Sequence, residues 1–312
     1  MTERADIQPT GRPIVIEAGG TRAVVGTVAA VLRSFSVDGV QLTEPIADGD
    51  HPRFANGIVL SPWPNRVGDG RWSLDGEAQQ LAITEVDRRT SLHGLLRFAD
   101  YEVRAQSPEA VTLGAVVPPQ LGWPLLLDTR VEYRVVPGAL EVVHGVTNLS
   151  GRRAPYATGA HPFLRVGDAP VESLVVTLHA STYFDVDERL LPVAELPVDG
   201  THYDLRDGVP VGDVGGRLDT AFGGVRHGAD GEIARLTDPA SGGTLSLHQD
   251  ASWGYVQIFA PTSYPDAAGA GRHAIAIEPM TAPPDALRSG EALVWLEPGE
   301  SWTGGWSLRY SA

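Results

Sequence analysis

The chain has 312 residues, of which 42% are hydrophobic and 20% are charged, a composition that excludes wholesale disorder and allows a sizeable core. Its 24 Lys and Arg residues stand against 39 Asp and Glu residues, a formal net charge of −15 that disfavours nucleic acid and anionic membranes as partners. There is no cysteine, which excludes disulfides, thiolate metal sites and a thiol nucleophile.

Short runs of alternating apolar and polar residues recur along the chain and predict β-strands, because side chains of a strand point alternately to opposite faces. The 36 glycines and 24 prolines supply turns between such strands. The clearest pair runs through residues 127–135, turns at Pro137-Gly138 and returns through residues 140–146. In chain order, the predicted strands are residues 21–36, 101–106, 111–117, 127–135, 140–146, 173–180, 244–248, 255–259, 273–278 and 301–310.

Helical periodicity is almost absent, and its best candidate is the short segment 285–289, which follows two prolines. Evenly spread strands without helices favour an all-β fold, a large antiparallel β-sandwich. We interpret the Gly- and Asp-rich residues 199–216 as a long surface loop and predict a single domain over residues 1–312, with residues 1–12 flexible. Because the N-terminus lacks the apolar core of a signal peptide and no apolar run could span a bilayer, we expect a cytoplasmic protein.

Several common catalytic motifs are missing from the sequence. It contains no P-loop, no nucleophile elbow of the GxSxG type and no HExxH zinc motif. The nine histidines do not fall at metal-ligand spacing on a plausible helix. Acid/base chemistry by His, Asp and Glu side chains is the main class that remains.

Two segments place hydrogen-bonding side chains on a constrained backbone. In residues 61–66, two prolines precede Asn65 and Arg66, which can donate hydrogen bonds to hydroxyl groups. A turn with a surface arginine is the simpler interpretation of that segment. In residues 91–94, His93 stands before a glycine, where most histidines are ordinary loop residues.

His161 and Glu278 are stronger candidates. A proline follows His161 and holds its backbone extended, although a buried histidine with satisfied hydrogen bonds is an equally open interpretation. In the strand that ends at Glu278, Ile275 and Ile277 share one face, so Glu278 lies on the other. Burial there would raise its pKa from about 4.3 and prepare a general base near neutral pH; an exposed edge carboxylate is the alternative.

Together these segments resemble the aldose 1-epimerase (galactose mutarotase) family from about residue 14 to residue 310. The resemblance rests on eight motifs in the family's order and approximate spacing, among them SPWPNRVGDG, SLHG, YATGAHPF, RLDTAFGG, YVQIFAP, AIAIEPM and VWLEPGESW. It implies a galactose mutarotase-like supersandwich with an open sugar cleft and no metal or organic cofactor. It also implies a small-molecule monosaccharide as the partner.

The resemblance further implies roles for individual side chains. Glu278 is similar to the family's general base and His161 to its general acid, which would open the ring of a free aldohexose and allow closure on the opposite face. We expect the charges of Glu278 and Asp219 to raise the pKa of His161 above about 6.5. The residues that the resemblance implies as sugar contacts are His93, Arg66, Asn65, Asp219 and Gln257.

Departures from the family pattern bear on the sugar rather than on the reaction. Residues 278–280 are Glu-Pro-Met where members often have Glu-Pro-Gln, and residues 285–288 are Asp-Ala-Leu-Arg where members often have Asp-Ala-Phe-Asn. His93 is followed by a single glycine where many members have a longer Gly-rich loop.

Two alternative functions remain open at this stage. One is a sugar-phosphate epimerase of the same fold, whose substrate anion would meet Arg88, Arg89 and Arg97. The other is a non-catalytic carbohydrate-binding protein. That protein would stack sugars on aromatic platforms, namely Trp63, Trp72, Trp123 and Trp253. In each case we expect a monomer or weak homodimer without nucleic-acid or membrane partners.

Overall fold

The computed structural model describes residues 8–266 and 268–312, and strands dominate their regular structure. The first strands are β1 (Pro13–Ala18), β2 (Thr21–Gly26), β3 (Leu32–Val37), β4 (Val40–Gln41), β5 (Val59–Leu60), β6 (Arg66–Gly68), β7 (Arg71–Leu74), β8 (Glu77–Gln80), β9 (Thr90–Leu92) and β10 (Glu102–Gln106).

The remaining strands follow in two groups. Those in the middle of the chain are β11 (Ala110–Val117), β12 (Leu127–Val136), β13 (Ala139–Asn148), β14 (Ala154–Tyr156), β15 (Gly159–Ala160), β16 (Phe163–Leu164), β17 (Val175–Leu178), β18 (Thr182–Val186), β19 (Pro192–Pro197) and β20 (Val209–Pro210). Those in the last third are β21 (Asp219–Gly223), β22 (Glu232–Thr237), β23 (Thr244–Gln249), β24 (Tyr255–Phe259), β25 (Tyr264–Pro265), β26 (Gly271–Arg272), β27 (Ile275–Met280), β28 (Val294–Leu296) and β29 (Ser301–Ser311).

Two large antiparallel sheets form the sandwich. One has the strand order β10-β11-β12-β13-β29-β23-β22-β17-β20, and the other has the order β19-β18-β21-β24-β27-β15-β5 with β16 also paired to β27. Apolar side chains from both sheets belong to one core, including Val131 and Val142 from the first and Ile258, Ile275 and Ile277 from the second. The predicted all-β antiparallel sandwich is therefore confirmed.

Most of the predicted strands are present, with ends within two residues of those expected. The turn at Pro137-Gly138 joins β12 to β13, whose register pairs Val136 with Ala139. The strand predicted over residues 21–36 is wrong as a single element, because the chain reverses between β2 and β3. Ala29 and Ala30 adopt positive φ in that reversal, a conformation that their side chains did not signal.

Helix is scarce in the described residues. The α-helices there are α1 (Val211–Val214) and α2 (Ala286–Ser289), with short 3-10 turns at Arg53–Ala55 and Val171–Ser173. Helix α2 confirms the predicted segment 285–289. The surface loop predicted over residues 199–216 is only partly correct, because β20 and α1 lie within it. Both Val211 and Val214 of α1 are buried in the core.

The N-terminal segment is only partly described. Residues 1–7 of the segment 1–12, predicted to be flexible, lie outside the described residues. Within the rest of that segment Thr10 is buried, and its carbonyl accepts a hydrogen bond from the N–H of Val28 at 3.1 Å. In the described part of the chain, no helix is long and apolar enough to cross a membrane.

Strand alternation separates the core from a second, polar surface on the sheet that contains β27. Ile275 and Ile277 point into the main core, whereas Ala276 packs in a separate small cluster around Phe163 on the opposite side of the strand. Glu278 follows the same alternation and, as predicted, does not share the isoleucine face. The side chain of Glu278 therefore lies outside the main core that Ile275 and Ile277 help to form.

A buried histidine in the other sheet makes fold stability depend on pH. His144 of β13 is fully buried between Thr158, whose hydroxyl is 2.9 Å from Nδ1, and Trp306, whose indole N–H donates to Nε2 at 3.2 Å. Burial lowers the pKa of His144 to about 3. In the unfolded chain the same imidazole titrates near pH 6.5. Below that pH the unfolded chain therefore binds a proton at His144 that the folded chain does not bind.

We expect acidification to destabilise the protein through His144. Below pH 6.5 this group lowers the free energy of unfolding by about 1.4 kcal/mol per pH unit, down to the folded-state pKa. Between pH 7 and pH 5 the wild type should lose about 2 kcal/mol more than a His144→Gln variant. Urea unfolding of both proteins at the two pH values measures this difference. Equal losses in the two proteins would contradict it.

Candidate active site

Three neighbouring strands bring three predicted site residues side by side. Asp219 begins β21, Gln257 lies in β24 and Glu278 lies in β27, where Gln257 and Glu278 are register partners. The side-chain amide of Gln257 donates to Asp219 Oδ1 at 2.7 Å. Asn65 Nδ2 in turn donates to Gln257 Oε1 at 3.3 Å. Asn65, Gln257 and Asp219 thus form one hydrogen-bonded row, and Glu278 lies on the strand next to Gln257.

A short ladder aligns the arginine and the first histidine with this row. Strand β6 pairs with β9 so that Arg66 is opposite Leu92, and the N–H of His93 donates to the carbonyl of Asn65 at 2.9 Å. Asn65 and His93 have φ values of 54° and 62°, in the left-handed region that non-glycine residues rarely occupy. Such conformations cost on the order of 1–3 kcal/mol and persist where surrounding contacts hold them, often at functional sites.

The two residues predicted to be catalytic are in direct contact. His161 Nε2 lies 3.3 Å from Glu278 Oε1, and both side chains are almost completely buried. The imidazole of His161 stacks on Phe163 with a centroid distance of 5.5 Å and meets the ring of His93 edge-on at 5.4 Å. Within residues 8–266 and 268–312, Glu278 Oε2 and His161 Nδ1 have no hydrogen-bond partner. Besides their contact with each other, each of the two side chains therefore has one buried polar atom without a hydrogen-bond partner among the described residues.

Burial changes the acidity of Glu278 in the predicted direction. Removal from water raises the pKa of Glu278 well above its ordinary value, and the negative charge of Asp219 raises it further. The positive charge of Arg66 opposes this shift but does not cancel it. The carboxyl group thus holds its proton far more strongly than a glutamate in water.

The expected rise in the pKa of His161 is wrong. Burial lowers the pKa of His161 to about 4, and the charges of Arg97 and Arg66 add to the decrease. Desolvation penalises the imidazolium, and a Glu278 that keeps its proton offers no negative charge to compensate. The pKa of His93 is likewise lowered well below its ordinary value, by burial first and then by the neighbouring cations.

Glu278 and His161 consequently behave as one titrating unit. A neutral carboxyl group beside a neutral imidazole contains the same number of protons as a carboxylate beside an imidazolium. The two forms differ only in which side of the 3.3 Å contact holds the proton. Between the pKa of His161, lowered to about 4, and the raised pKa of Glu278 the pair therefore carries one proton and can supply both a base and an acid.

Sequence reasoning missed one residue of this cluster, Glu85. Its carboxylate accepts hydrogen bonds from Arg66 Nε at 2.8 Å and Nη2 at 3.1 Å, and from the hydroxyl of Thr90 at 2.6 Å. Burial alone would raise the pKa of Glu85, but the hydrogen bonds from Arg66 and Thr90 outweigh it and lower the value. Arg66 also lies 3.8 Å from Asp219. The contact between Arg66 and Glu85 depends on the pairing of β6 with β9, and that pairing is not evident from the sequence.

A second buried carboxylate has a different character. Glu44 lines a cavity of about 820 Å³ whose lining contains none of the seven predicted site residues. Both oxygens of Glu44 accept hydrogen bonds from Arg272, and Arg165 lies 3.7 Å away. Glu44 is thus neutralised by arginine, whereas Glu278 meets an imidazole.

The cluster is not arranged as a metal centre. In the part of the chain that the structure describes, no group of three or more His, Asp or Glu side chains is placed to hold a metal ion. The seven predicted residues instead combine one acid/base pair with amide, guanidinium, imidazole and carboxylate groups. Such groups donate to and accept from hydroxyls, the functional groups that a sugar presents.

The chain is similar to known proteins in both sequence and fold. The YihR protein of Escherichia coli K12, described as uncharacterized, is 30% identical over 292 residues, which cover 93% of this chain and 91% of that protein. Human galactose mutarotase is 32% identical over 164 residues, so the match spans about half of each chain. The crystal structure of an aldose epimerase homologue from C. elegans superposes with a TM-score of 0.83 at 21% identity, over 96% of this chain and 98% of that one.

The family comparison covers almost the whole chain. The model of the family described as aldose 1-epimerase matches residues 12–309, a range that includes both large sheets apart from the last two residues of β29, and all seven predicted site residues. From this match and the shared fold, we conclude that the chain belongs to the aldose 1-epimerase family.

Proposed function

We propose that this protein interconverts the α and β anomers of an aldohexose whose anomeric hydroxyl is free. The observation that carries the proposal is the buried contact of 3.3 Å between His161 and Glu278, whose pKa shifts leave one shared proton. Membership of the aldose 1-epimerase family supports the same reaction. Human galactose mutarotase, which matches half of the chain, supports a sugar of this size.

The reaction begins with a transfer of the shared proton from Glu278 to His161. The Glu278 carboxylate then accepts the proton of the anomeric hydroxyl while the His161 imidazolium protonates the ring oxygen. The bond between C1 and the ring oxygen breaks, which leaves an open-chain aldehyde. Rotation about the C1–C2 bond exposes the other face of the carbonyl. On ring closure His161 takes the proton of the C5 hydroxyl and Glu278 gives its proton to the carbonyl oxygen, which becomes the new anomeric hydroxyl. The carboxylate and the imidazolium are restored, so no external reagent is consumed.

The remaining side chains of the cluster orient the sugar in this proposal. Gln257 lies on the strand adjacent to that of Glu278 and Asp219 on the next strand beyond it, and Asn65 extends the hydrogen-bonded row of Gln257 and Asp219. Arg66 is fixed by Glu85 and His93 by its backbone contact to Asn65. Groups held in this way bind hydroxyls with little further ordering, which reduces the entropic part of the barrier. Each positioned proton transfer adds about 10²- to 10⁴-fold.

The alternative of a non-catalytic carbohydrate-binding protein loses its supporting observation. It depended on four tryptophans as exposed stacking platforms, but all of them are buried in the core. Their exposed fractions range from 0% to 4% for Trp63, Trp72, Trp123 and Trp253.

Replacement of Glu278 by Gln should nearly abolish anomer interconversion while the fold is retained. Glutamine preserves the size of the side chain but cannot accept the anomeric proton, so we expect a loss of at least about 10²-fold. Polarimetry of freshly dissolved α-glucose and α-galactose measures the rate, and far-UV circular dichroism checks the fold. As a matched control, Glu44→Gln alters an equally buried carboxylate and should retain the wild-type rate per folded molecule. A wild-type rate in Glu278→Gln would exclude it as the base.

Replacement of His161 by Asn should lower kcat much more than it changes KM. The acid at the ring oxygen acts mainly in the transition state, so its loss should reduce kcat by about 10²- to 10⁴-fold. Exchange spectroscopy by NMR over a range of sugar concentrations separates the two constants. A change confined to KM would assign His161 to binding alone.

The pH dependence of kcat/KM should report the shared proton. Below about pH 4 the lowered pKa of His161 allows the pair to take up a second proton, which removes the base. Activity should therefore be level from neutral pH downward and fall towards pH 4, with an alkaline fall only above the raised pKa of Glu278. Initial rates with circular dichroism at each pH separate this effect from unfolding. A fall centred near pH 6.5 would contradict the lowered pKa of His161.

A further inference from the structure

Arg97 is a cation on the histidine side of the cluster that is not paired with a carboxylate. One of its terminal nitrogens donates to the carbonyl of Leu92 at 3.4 Å, and its guanidinium lies over the ring of Phe98 at 4.7 Å. The Nε atom of Arg97 is buried without a hydrogen-bond partner among the described residues. No Asp or Glu oxygen in residues 8–266 or 268–312 lies within 4.0 Å of its guanidinium.

The neighbouring arginines are different in this respect. Arg66 forms a two-point contact with Glu85, and Arg88 lies 3.8 Å from the same carboxylate. Arg89 lies 3.3 Å from Asp69. The sequence offered three arginines as partners of a substrate anion. Arg88 and Arg89 already face carboxylates, so Arg97 is the candidate that remains.

The position of Arg97 indicates which part of a sugar it would meet. Its contact on Leu92 places it beside His93, whose ring meets His161 edge-on. The positive charge of Arg97 lowers the pKa of both histidines. The pKa of Glu278, apart from the effect of burial, is instead affected by the charges of Asp219 and Arg66. In the proposed reaction His161 faces the ring oxygen. That oxygen is bonded to C5, which carries C6, so the C6 substituent extends on the histidine side.

We propose that Arg97 binds an anionic group on C6 of the substrate, so that the preferred substrates are aldohexoses with a phosphate, sulfate or carboxylate at that carbon. This inference rests on the proposed function, because it takes His161 as the acid at the ring oxygen. A guanidinium offers two parallel N–H donors that match these anions. Partial burial of Arg97 limits screening by salt, which strengthens the interaction.

The test compares neutral and anionic sugars in the wild type and in Arg97→Gln. The substrates are glucose, glucose 6-phosphate, glucose 6-sulfate and glucuronate, each measured by NMR against the rate without enzyme. We expect the wild type to have a higher kcat/KM for at least one anionic sugar than for glucose. Arg97→Gln should lower that kcat/KM about 10- to 100-fold, mainly through KM. It should change kcat/KM for glucose much less, because glucose has no charge at C6 and is affected by Arg97 only through His161. The three anions identify which charged group is preferred.

Arg89→Gln is the matched control, because it removes a nearby arginine that already faces Asp69. It should leave the selectivity between glucose and the anionic sugars unchanged. An equal loss on glucose and on the anionic sugars in Arg97→Gln would overturn the inference, since Arg97 would then act through the histidines or the fold. A wild type that prefers glucose to all three anionic sugars would also overturn it, while the proposed function would stand.

A binding measurement separates this inference from the proposed reaction. Calorimetric titration of the Glu278→Gln variant with the same four sugars reports affinity without turnover. Tighter binding of an anionic sugar that disappears in the double variant with Arg97→Gln supports the anion site even if no anomer exchange is catalysed. Failure of the wild type to accelerate any of the four sugars would contradict the proposed function and its assignment of His161.

Discussion

The buried contact between Glu278 and His161 constrains the rest of the site. In water, glutamate releases its proton near pH 4.3 and imidazole near 6.5, so the proton would reside on the histidine. Burial reverses this order, because it raises the pKa of the carboxyl group and lowers that of the ring. Between the lowered pKa of His161 and the raised pKa of Glu278 the pair is neutral, so neither group buries an uncompensated charge there. Catalysis then requires the proton to move across 3.3 Å rather than to be exchanged with solvent.

The fold divides the tasks of the site between sheet and loops. Adjacent strands of the central sheet carry Asp219, Gln257 and Glu278, where ladder hydrogen bonds fix their separation. Asn65 and His93 come from turns with left-handed backbone, and their conformations are held by contacts to each other. A carboxylate on a rigid strand and His93 on a constrained turn have the fixed placement that acid/base chemistry and substrate orientation require.

Local pattern in the sequence was sufficient for the strands and for the direction of Glu278, because both follow from the alternation around Ile275 and Ile277. The reversal between β2 and β3 was missed because alanine rarely adopts positive φ, as Ala29 and Ala30 do here. Glu85 was missed because its partner Arg66 is brought to it only by strand pairing. The lowered pKa of His161 had the same origin. It depends first on burial by distant segments and then on the charges of Arg97 and Arg66, none of which the local pattern around His161 reveals.

Binding at Arg97 and acid/base catalysis are linked through charge. The overall charge of −15 repels anions at long range, but salt screens that repulsion within about 8 Å, so an anionic sugar is selected by short-range contacts with the site residues. The positive charge of Arg97 is one cause of the lowered pKa of His161. A substrate anion that neutralises Arg97 would remove this opposition and favour the imidazolium. Burial, the larger cause of the lowered pKa, remains, so an anion at Arg97 would ease the transfer of the shared proton from Glu278 to His161 without driving it.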